Sequence, residues 1–209
     1  MTLSYAIPVC NEWIQLEYLL KYLFKHKREQ DEIVVQCDKG NTTPSVYQVL
    51  QEYSTYYSVG FKVIEFPLNK DFASFKNNLK DACSGDYIFQ IDADEYPDDY
   101  LMAAIEEVIK MNDSVDVFWV PRINKVEGLT QEHINKWKWN VDQDGRVNSP
   151  DYQCRILKNV KRIKWKNTVH EVLTGHKSES HLPANDEYCL IHLKDIKRQE
   201  KQNELYSKL

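Results

Sequence analysis

The sequence predicts an α/β domain with a mostly parallel, doubly wound sheet and a smaller antiparallel part. Within the first 111 residues, short apolar runs alternate with segments whose apolar residues recur at helical spacing. Such alternation implies parallel strands joined by right-handed crossovers. The length of 209 residues, with 42% hydrophobic and 28% charged residues, is typical of one globular domain with a hydrophobic core.

The first half of the chain is predicted to consist of four strand–helix units. Its strands are short apolar runs, namely Leu3 to Val9, Ile33 to Val35, Phe61 to Phe66 and Tyr87 to Ile91. Its helices show apolar residues at helical spacing, and they cover about 13 to 23, Thr43 to Tyr57, Phe72 to Cys83 and Tyr100 to Met111. The third helix is expected to stop at Ser84-Gly85, because glycine commonly follows the end of a helix.

The second half of the chain has a different character. Val115 to Val120 is predicted as a fifth strand, and the polar segment 124–150 as a long loop or an inserted hairpin containing Trp137 and Trp139. A loop of this length is typical of lids and binding loops. Shorter strands are predicted at Gln153 to Leu157, Ile163 to Trp165, Val169 to Leu173 and Tyr188 to Leu193, and a charged helix from about Asp195.

The composition narrows the class of protein. No run approaches the ~18 apolar residues of a membrane span, and the N-terminus lacks the features of a signal peptide. We therefore expect a cytoplasmic protein, either free or peripheral to a membrane. The five cysteines are widely spaced, without a Cys-x-x-Cys pair, and are expected to be reduced and mostly buried.

The net charge of −5 is unevenly distributed, because residues 151–209 carry 12 Lys and Arg against 8 Asp and Glu. A basic segment can bind nucleic acid. Here, however, the basic residues of 156–166 alternate with apolar ones as the two faces of a strand do. This pattern favours a solvated sheet surface, or contacts to an anionic phosphate, and we expect no nucleic-acid partner.

The segment Asp92-Ala93-Asp94-Glu95 follows the fourth predicted strand without a gap. Ligands of open α/β sheets bind beyond the carboxyl ends of the strands. Alternate side chains of a strand share a face, so Asp92 and Asp94 are expected to point together towards a hard cation such as Mg²⁺ or Mn²⁺. Such a metal could bind a diphosphate. The alternative is an acidic helix start, with Pro97 in its first turn.

Five segments together resemble the inverting GT-A glycosyltransferases of glycosyltransferase family 2. The resemblance covers about residues 3 to 195. Ile7 to Glu12 is similar to the family's first strand and Asn-Glu turn, and Asp92 to Pro97 matches its Asp-Ala-Asp-Glu signature with a downstream proline. Asp38, at the end of strand two, is the third segment. Asn69 with Lys76-Asn77 is the fourth, in which lysine replaces the usual arginine. The fifth is Arg155 to Asn159 with Trp165 and Val169-His170-Glu171. The last of these resembles a lipopolysaccharide-core-like subgroup.

The resemblance implies roles for individual residues. The donor, a nucleoside diphosphate sugar that we expect to be UDP-linked, would be bound by Pro8, Asn11, Glu12, Asp38, Asn69, Lys76, Asp92, Ala93 and Arg155. The cofactor would be Mn²⁺ or Mg²⁺, held by Asp94, with Asp92 and His170 as further ligands. His170 could instead be structural, and His192 is interpreted as a core residue or a support for the site.

The catalytic base is predicted at Glu171, with Glu95 as the other candidate. Inverting transfer needs one carboxylate to take the proton from the acceptor hydroxyl. In the wider family this is often an Asp from a Glu-Asp pair on a later helix, and this chain has no clear counterpart.

We therefore predict a single GT-A domain over 1–209. Residues 1–114 would bind nucleotide, 115–193 would hold metal and acceptor, with 124–150 as the acceptor loop, and 194–209 would form a C-terminal helix. The predicted function is metal-dependent, inverting transfer of a hexose to an acceptor that is a saccharide, lipid-linked or a protein. The alternatives are a nucleotidyltransferase, whose usual Gly-rich loop is missing after strand one, and a non-catalytic sugar-nucleotide-binding module.

Overall fold

A computed structural model describes residues 1–200 of the chain. The strands are β1 (Leu3–Val9), β2 (Glu32–Asp38), β3 (Phe61–Phe66), β4 (Tyr87–Gln90), β5 (Glu95–Pro97), β6 (Val117–Glu127), β7 (Asp151–Lys158), β8 (Lys164–Lys166), β9 (Val172–Thr174), β10 (Glu179–His181) and β11 (Leu190–Asp195). The helices are α1 (Trp13–His26), α2 (Pro44–Tyr56), α3 (Phe72–Ala82), α4 (Asp99–Met111), α5 (Gln131–Trp137) and a 3₁₀ turn, Asp186–Tyr188. Residues 196–200 are also helical.

Nine of these strands form one sheet in the order β3-β2-β1-β4-β7-β6-β11-β5, with β10 beside β6. The neighbouring strands β3, β2, β1 and β4 pair in parallel, and β6 pairs in parallel with both β10 and β11. Strand β7 runs antiparallel between β4 and β6, and β5 runs antiparallel to β11. The predicted mostly parallel α/β sheet with a smaller antiparallel part after residue 115 is confirmed.

Both faces of the sheet are covered, as a buried parallel sheet requires. Side chains of α1, α2 and α4 pack on one face, where they meet Tyr5 and Ile7 of β1. Helix α3 and Trp165 pack on the other face, where they meet Ala6. This alternation along β1 follows from the two-residue period of a strand. The five cysteines are free thiols and four are buried, which confirms the prediction for them.

The structure corrects several element predictions. Pro97 ends strand β5 rather than lying in a helix, and the Asp98 carboxylate caps α4 by accepting from the Tyr100 N–H at 2.8 Å. Segment 124–150 begins inside β6, which runs on to Glu127, and contains α5, which a Thr130–His133 capping box starts. The predicted inserted hairpin is present only as an antiparallel bridge between Val141 and Val147. The strand predicted at Val169 to Leu173 is displaced to β9, since His170 has a left-handed backbone (φ 54°) that a strand cannot contain.

Two short strands, β5 and β10, were not predicted, since each has only three residues and pairs with a strand distant in sequence. The predicted C-terminal helix is present at 196–200, and its remainder, 201–209, lies outside the described residues. In the described part of the chain, no helix combines the length and the apolar character needed to cross a membrane.

Candidate active site at the carboxyl edge of the sheet

The polar residues of interest collect at one edge of the sheet. Strands β1, β2, β4, β6 and β11 run in the same direction, so their carboxyl ends share this edge, and antiparallel β7 begins there. This is the edge at which α/β sheets bind their ligands.

The acidic segment after β4 is a turn and not a continuation of the strand. Strand β4 ends at Gln90, and the Glu95 N–H donates to the Asp92 carbonyl at 2.9 Å as the chain reverses into β5. The expected strand alternation of Asp92 and Asp94 is therefore wrong. The Asp92 carboxylate contacts Arg155, whereas the Asp94 carboxylate faces His192.

Behind this turn lies a buried cluster of charges. The Glu95 side chain is fully buried, and its Oε1 accepts from Arg155 at 2.6 Å and from Arg122 at 2.8 Å. Arg155 also donates to Asp92 Oδ2 at 2.5 Å. Buried charges require partners of this kind. Burial raises the pKa of Asp92, but the charges of Arg155 and Lys76 lower it by more, so Asp92 stays ionised.

Arg155 was predicted to bind the donor, and the structure places its guanidinium inside the protein. It is 4% exposed and joins two of the central acids. Burial lowers the pKa of Arg155, but Asp92 and Glu95 raise it well above its usual range. In this structure Arg155 therefore fixes the acidic turn in place.

A chain of hydrogen bonds leads from His192 on β11 to Asp151 on β7. The Asn124 Nδ2 donates to Asp151 Oδ2 at 2.8 Å, and the Asn124 Oδ1 lies 2.8 Å from His192 Nδ1. Because a carboxylate only accepts, the orientation of the Asn124 amide is fixed, and His192 must donate through Nδ1.

The Nε2 atom of His192 is buried and makes no hydrogen bond with the described residues. It lies 3.4 Å from Asp94 Oδ2. Burial raises the pKa of Asp94, but the contact with His192 and the charge of Arg198 lower it by more. The site therefore presents an ionised carboxylate beside an imidazole nitrogen that has no hydrogen-bond partner.

This pair fits a divalent cation. Imidazole nitrogen and carboxylate oxygen are both suitable ligands for Mn²⁺, and the Nδ1–H held by Asn124 is the usual support of a metal-binding histidine. Within residues 1–200 no group of three or more His, Cys, Asp and Glu side chains could hold a metal. The predicted ligands Asp92, Asp94 and His170 are thus not grouped, and the remaining ligands of a metal at Asp94 would come from water and phosphate.

The C-terminal segment closes one side of the site. Arg198 donates to Glu12 Oε1 at 2.5 Å and lies 3.4 Å from Asp94 Oδ2. The other oxygen of Glu12 accepts from the N–H groups of Cys10 and Asn11, at 2.9 Å each. Glu12, predicted as a donor-binding residue, therefore holds the loop after β1 and connects it to Arg198.

The loops after β1 and β2 form a second part of the site. Asp38 is buried, and its two oxygens accept from the Leu68 N–H at 2.9 Å and from Asn41 Nδ2 at 3.0 Å. It therefore ties the loop after β2 to the loop 67–71, where Asn69 is exposed with a left-handed backbone. Pro8 lies near the end of β1, next to Gln36 of β2.

A third group lies between α3 and the loop before β9. Lys76 forms an ion pair with Glu171, and its ammonium group lies 4.4 Å from the centre of the Trp165 ring. His170 is exposed, and within residues 1–200 it has no hydrogen-bond partner. The Thr168 carbonyl accepts from the Phe72 N–H at 2.9 Å, which holds this loop on the start of α3.

Sequence reasoning missed several residues of the site. They are Arg122, Asn124, Asp151 and Arg198, while His192 was interpreted only as core or support. A signal existed for His192, because it lies two residues after buried Leu190 and so occupies a core-facing strand position. No local pattern identifies the others, since their partners are distant in sequence.

Comparison with known proteins agrees with this geometry. Residues 4–165 match the profile described as glycosyl transferase family 2. Among solved structures, S. aureus TarS 1-349 in complex with UDP-GlcNAc is 17% identical with a TM-score of 0.66, and covers 93% of this chain. S. aureus TarS is 15% identical with a TM-score of 0.63, and covers 97% of this chain.

The chain spans 59% of the first of these TarS structures and 38% of the second. At these identities the likeness shows the fold, which is the GT-A fold. The curated proteins contain no match to this chain. Because the family profile covers most of the chain, from β1 to β8, the protein belongs to glycosyl transferase family 2.

Proposed function

We propose that the chain transfers a hexose from a UDP-linked sugar to an acceptor hydroxyl, with inversion at the anomeric carbon and with Mn²⁺ or Mg²⁺. The observation that carries this proposal is the pair Asp94–His192, 3.4 Å apart at the carboxyl edge of the sheet. Family membership supports sugar transfer, and the complex of TarS 1-349 with UDP-GlcNAc supports a UDP-linked donor.

The donor would lie along the loops at this edge. The uracil and ribose would occupy the part bounded by Pro8, Asn11, Asp38 and Asn69. The diphosphate would reach Asp94, near the cationic side chains of Lys76 and Arg198. Arg198 is 37% exposed and beside Asp94, so it can move to a phosphate oxygen at little desolvation cost.

Asp94 and His192 would hold the metal, with His192 in the place first assigned to His170. A bound divalent ion would neutralise charge on the departing diphosphate. Asn124 fixes the tautomer of His192, while Arg155 and Glu95 fix the turn that carries Asp94. The subgroup resemblance to lipopolysaccharide-core enzymes is retained as part of the proposal, because Arg155 and Glu171 both lie in contact with predicted site residues.

Glu171 remains the proposed base. In the reaction its carboxylate takes the proton of the acceptor hydroxyl, the hydroxyl oxygen bonds to the anomeric carbon, and the carbon–oxygen bond to UDP breaks with both electrons leaving on UDP. Glu171 is partly exposed, as a base that meets substrate must be. Glu95 is enclosed by Arg122 and Arg155, which supports a structural role for it.

The proposal is tested by calorimetric titration of UDP with and without Mn²⁺. Wild-type protein should bind UDP, and Asp38→Ala should weaken binding by about 1.5–3 kcal/mol even without metal, because a charged hydrogen-bonding group is lost. Asp113→Ala, an exposed acid after α4, serves as the control. Absence of UDP binding both with and without Mn²⁺ would contradict the proposal. A second measurement, slow Mn²⁺-dependent hydrolysis of UDP-GlcNAc, would distinguish an enzyme from a non-catalytic binding module.

A further inference from the structure

A cavity of about 540 Å³ borders the acidic turn. It lies between α1 and the segment 93–96, and we call it the α1 cavity. Its volume falls within the roughly 300–1,000 Å³ of ligand pockets. Asp94 lines this cavity and also faces His192, so a group bound there lies next to the proposed metal site.

The walls of the α1 cavity are mostly apolar. The leucines of α1 at 16, 19, 20 and 23 pack into the core, yet the opposite face of the helix also carries large apolar side chains. Tyr18 is 72% exposed, and Leu193 of β11, on the other wall, is 51% exposed. Tyr22 and Tyr96 complete the lining. A concave apolar surface of this kind indicates a binding site for an apolar group.

Two lysines add positive charge to one end of the cavity. Lys21 and Lys25 lie one helical turn apart and both line it. Neither forms a salt bridge with any residue of 1–200. The nearby acid Asp99 is already engaged, because Tyr22 donates to it at 2.9 Å and His26 lies 4.0 Å from it. The lysines are therefore available to an anionic group of a ligand.

The direction of the cavity follows from two contacts. Arg198 connects Glu12, just before α1, to Asp94. Ten residues further along α1, Tyr22 contacts Asp99. Helix α1 and segment 94–99 therefore run side by side in the same direction. Lys21 and Lys25 lie 9 and 13 residues after Glu12. With a rise of 1.5 Å per residue, they therefore lie roughly 14 and 20 Å beyond the Asp94 end.

We propose that the α1 cavity binds an amphiphilic acceptor. Its hydroxyl end passes Asp94 towards the donor and the proposed base Glu171, its apolar chain lies along α1, and its anionic group lies at Lys21 and Lys25. This inference rests on the proposed function and selects an acceptor with an apolar chain from the possible classes. The distance between the two ends corresponds to a chain of roughly ten to fifteen carbons, at about 1.3 Å per carbon, and the mostly apolar lining favours such a chain over a small polar acceptor.

The test uses 12-hydroxydodecanoate as the probe, titrated calorimetrically without donor. Two comparison compounds are titrated in the same way. The neutral 1,12-dodecanediol lacks the anionic group, and 4-hydroxybutanoate lacks most of the apolar chain. The hydroxydodecanoate should bind at least about tenfold more tightly than either comparison compound, which corresponds to 1.4 kcal/mol or more. Equal affinity for all three compounds, or no binding of the long probe, would overturn the inference.

Substitutions of cavity residues test whether the probe binds in the α1 cavity. Lys21→Gln/Lys25→Gln should weaken binding of the hydroxydodecanoate by about 10- to 30-fold, the upper part of the range for two exposed charge interactions, and should abolish its advantage over the diol. Leu193→Asn should weaken the binding of both the hydroxydodecanoate and the diol by about tenfold, because apolar contact with the chain is lost. Lys161→Gln and Val59→Asn, exposed and outside the cavity, are the matched controls. Unchanged affinity in the cavity variants would place the probe elsewhere and overturn the inference.

The same titrations separate this inference from the proposed function. UDP binding is measured in every variant and should equal that of wild type, because the variants leave the donor loops intact. Normal UDP binding without probe binding would overturn the amphiphilic acceptor alone. Probe binding without UDP binding would overturn the proposed function, and with it the role of the cavity as an acceptor site.

Discussion

His192 Nε2 and Asp94 Oδ2 face each other at 3.4 Å, and the imidazole nitrogen is buried without a hydrogen bond to any of residues 1–200. A buried polar atom without a partner normally costs free energy. Here the other ring nitrogen is fixed by Asn124, so Nε2 is held facing the carboxylate. An arrangement of this kind is expected where a cation completes the site.

The first prediction separates the two histidines. His192→Ala should raise the Mn²⁺ concentration needed for UDP binding by at least about tenfold, since loss of even an outer support costs 10- to 100-fold in metal affinity. Asp94→Ala should abolish the Mn²⁺ dependence while the fold persists. The matched control is His170→Ala, which removes an exposed imidazole from the loop before β9. Calorimetry at a series of Mn²⁺ concentrations measures these effects. A raised Mn²⁺ requirement in His170→Ala, with none in His192→Ala, would assign the metal to His170 instead.

The second prediction concerns the base. Glu171→Gln should reduce donor-saturated turnover by about 10²- to 10⁴-fold, the usual contribution of general-base catalysis. Affinity for UDP and Mn²⁺ should stay nearly unchanged, because only proton transfer is lost. Lys76→Met serves as a comparison, since it removes the ion-pair partner of Glu171 and keeps the carboxylate. Full turnover of Glu171→Gln would move the base to another residue.

The third prediction concerns the buried charge cluster. Glu95→Gln should lower the free energy of unfolding by about 3–5 kcal/mol, because Arg155 and Arg122 lose a buried anion that joins them. Glu106→Gln is the matched control, since Glu106 also contacts two cations but lies at the surface, where the loss should be much smaller. Urea unfolding measures both. Equal losses would show that burial of Glu95 does not strengthen its interactions.

The fourth prediction concerns pH. Hydrogen bonds from Arg162 lower the pKa of the buried Asp116 carboxyl, and this outweighs the effect of burial. A group whose pKa is lower in the folded state stabilises the protein above its unfolded pKa of about 3.9, and this stabilisation is lost as the pH falls through the folded value. Asp116→Asn should therefore be less stable than wild type at pH 7.

The stability difference between wild type and Asp116→Asn should stay constant from pH 8 to about pH 5 and shrink below about pH 4. Chemical denaturation at each pH gives this difference. Asp113→Asn, an exposed acid nearby, should show no such dependence. A difference that grew on acidification would contradict the assigned direction of the Asp116 pKa.

The sequence determined the framework of this protein by local rules. Strands β1 to β4 and helices α1 to α4 follow from apolar periodicity, because their side chains must be buried on one or two faces wherever the elements pack. The position of Asp92 to Glu95 at the end of β4 was likewise readable from the chain. Strand β5 and helix α5 were missed, since three residues give no period and α5 buries none of its side chains.

Only the tertiary structure decided which partners the acids have. The register of β11 places His192 opposite Asn124 of β6 and opposite Glu95 of β5. These pairings join residues 68 and 97 positions apart in sequence, so the sequence alone does not reveal that His192 lies beside Asp94. The same pairing of strands encloses Arg155 and Glu95, which were predicted as a donor-binding and a catalytic residue, and brings both into contact with the acidic turn. Sequence fixes which chemical groups exist, while the hydrogen-bonded register of distant strands fixes which of them meet.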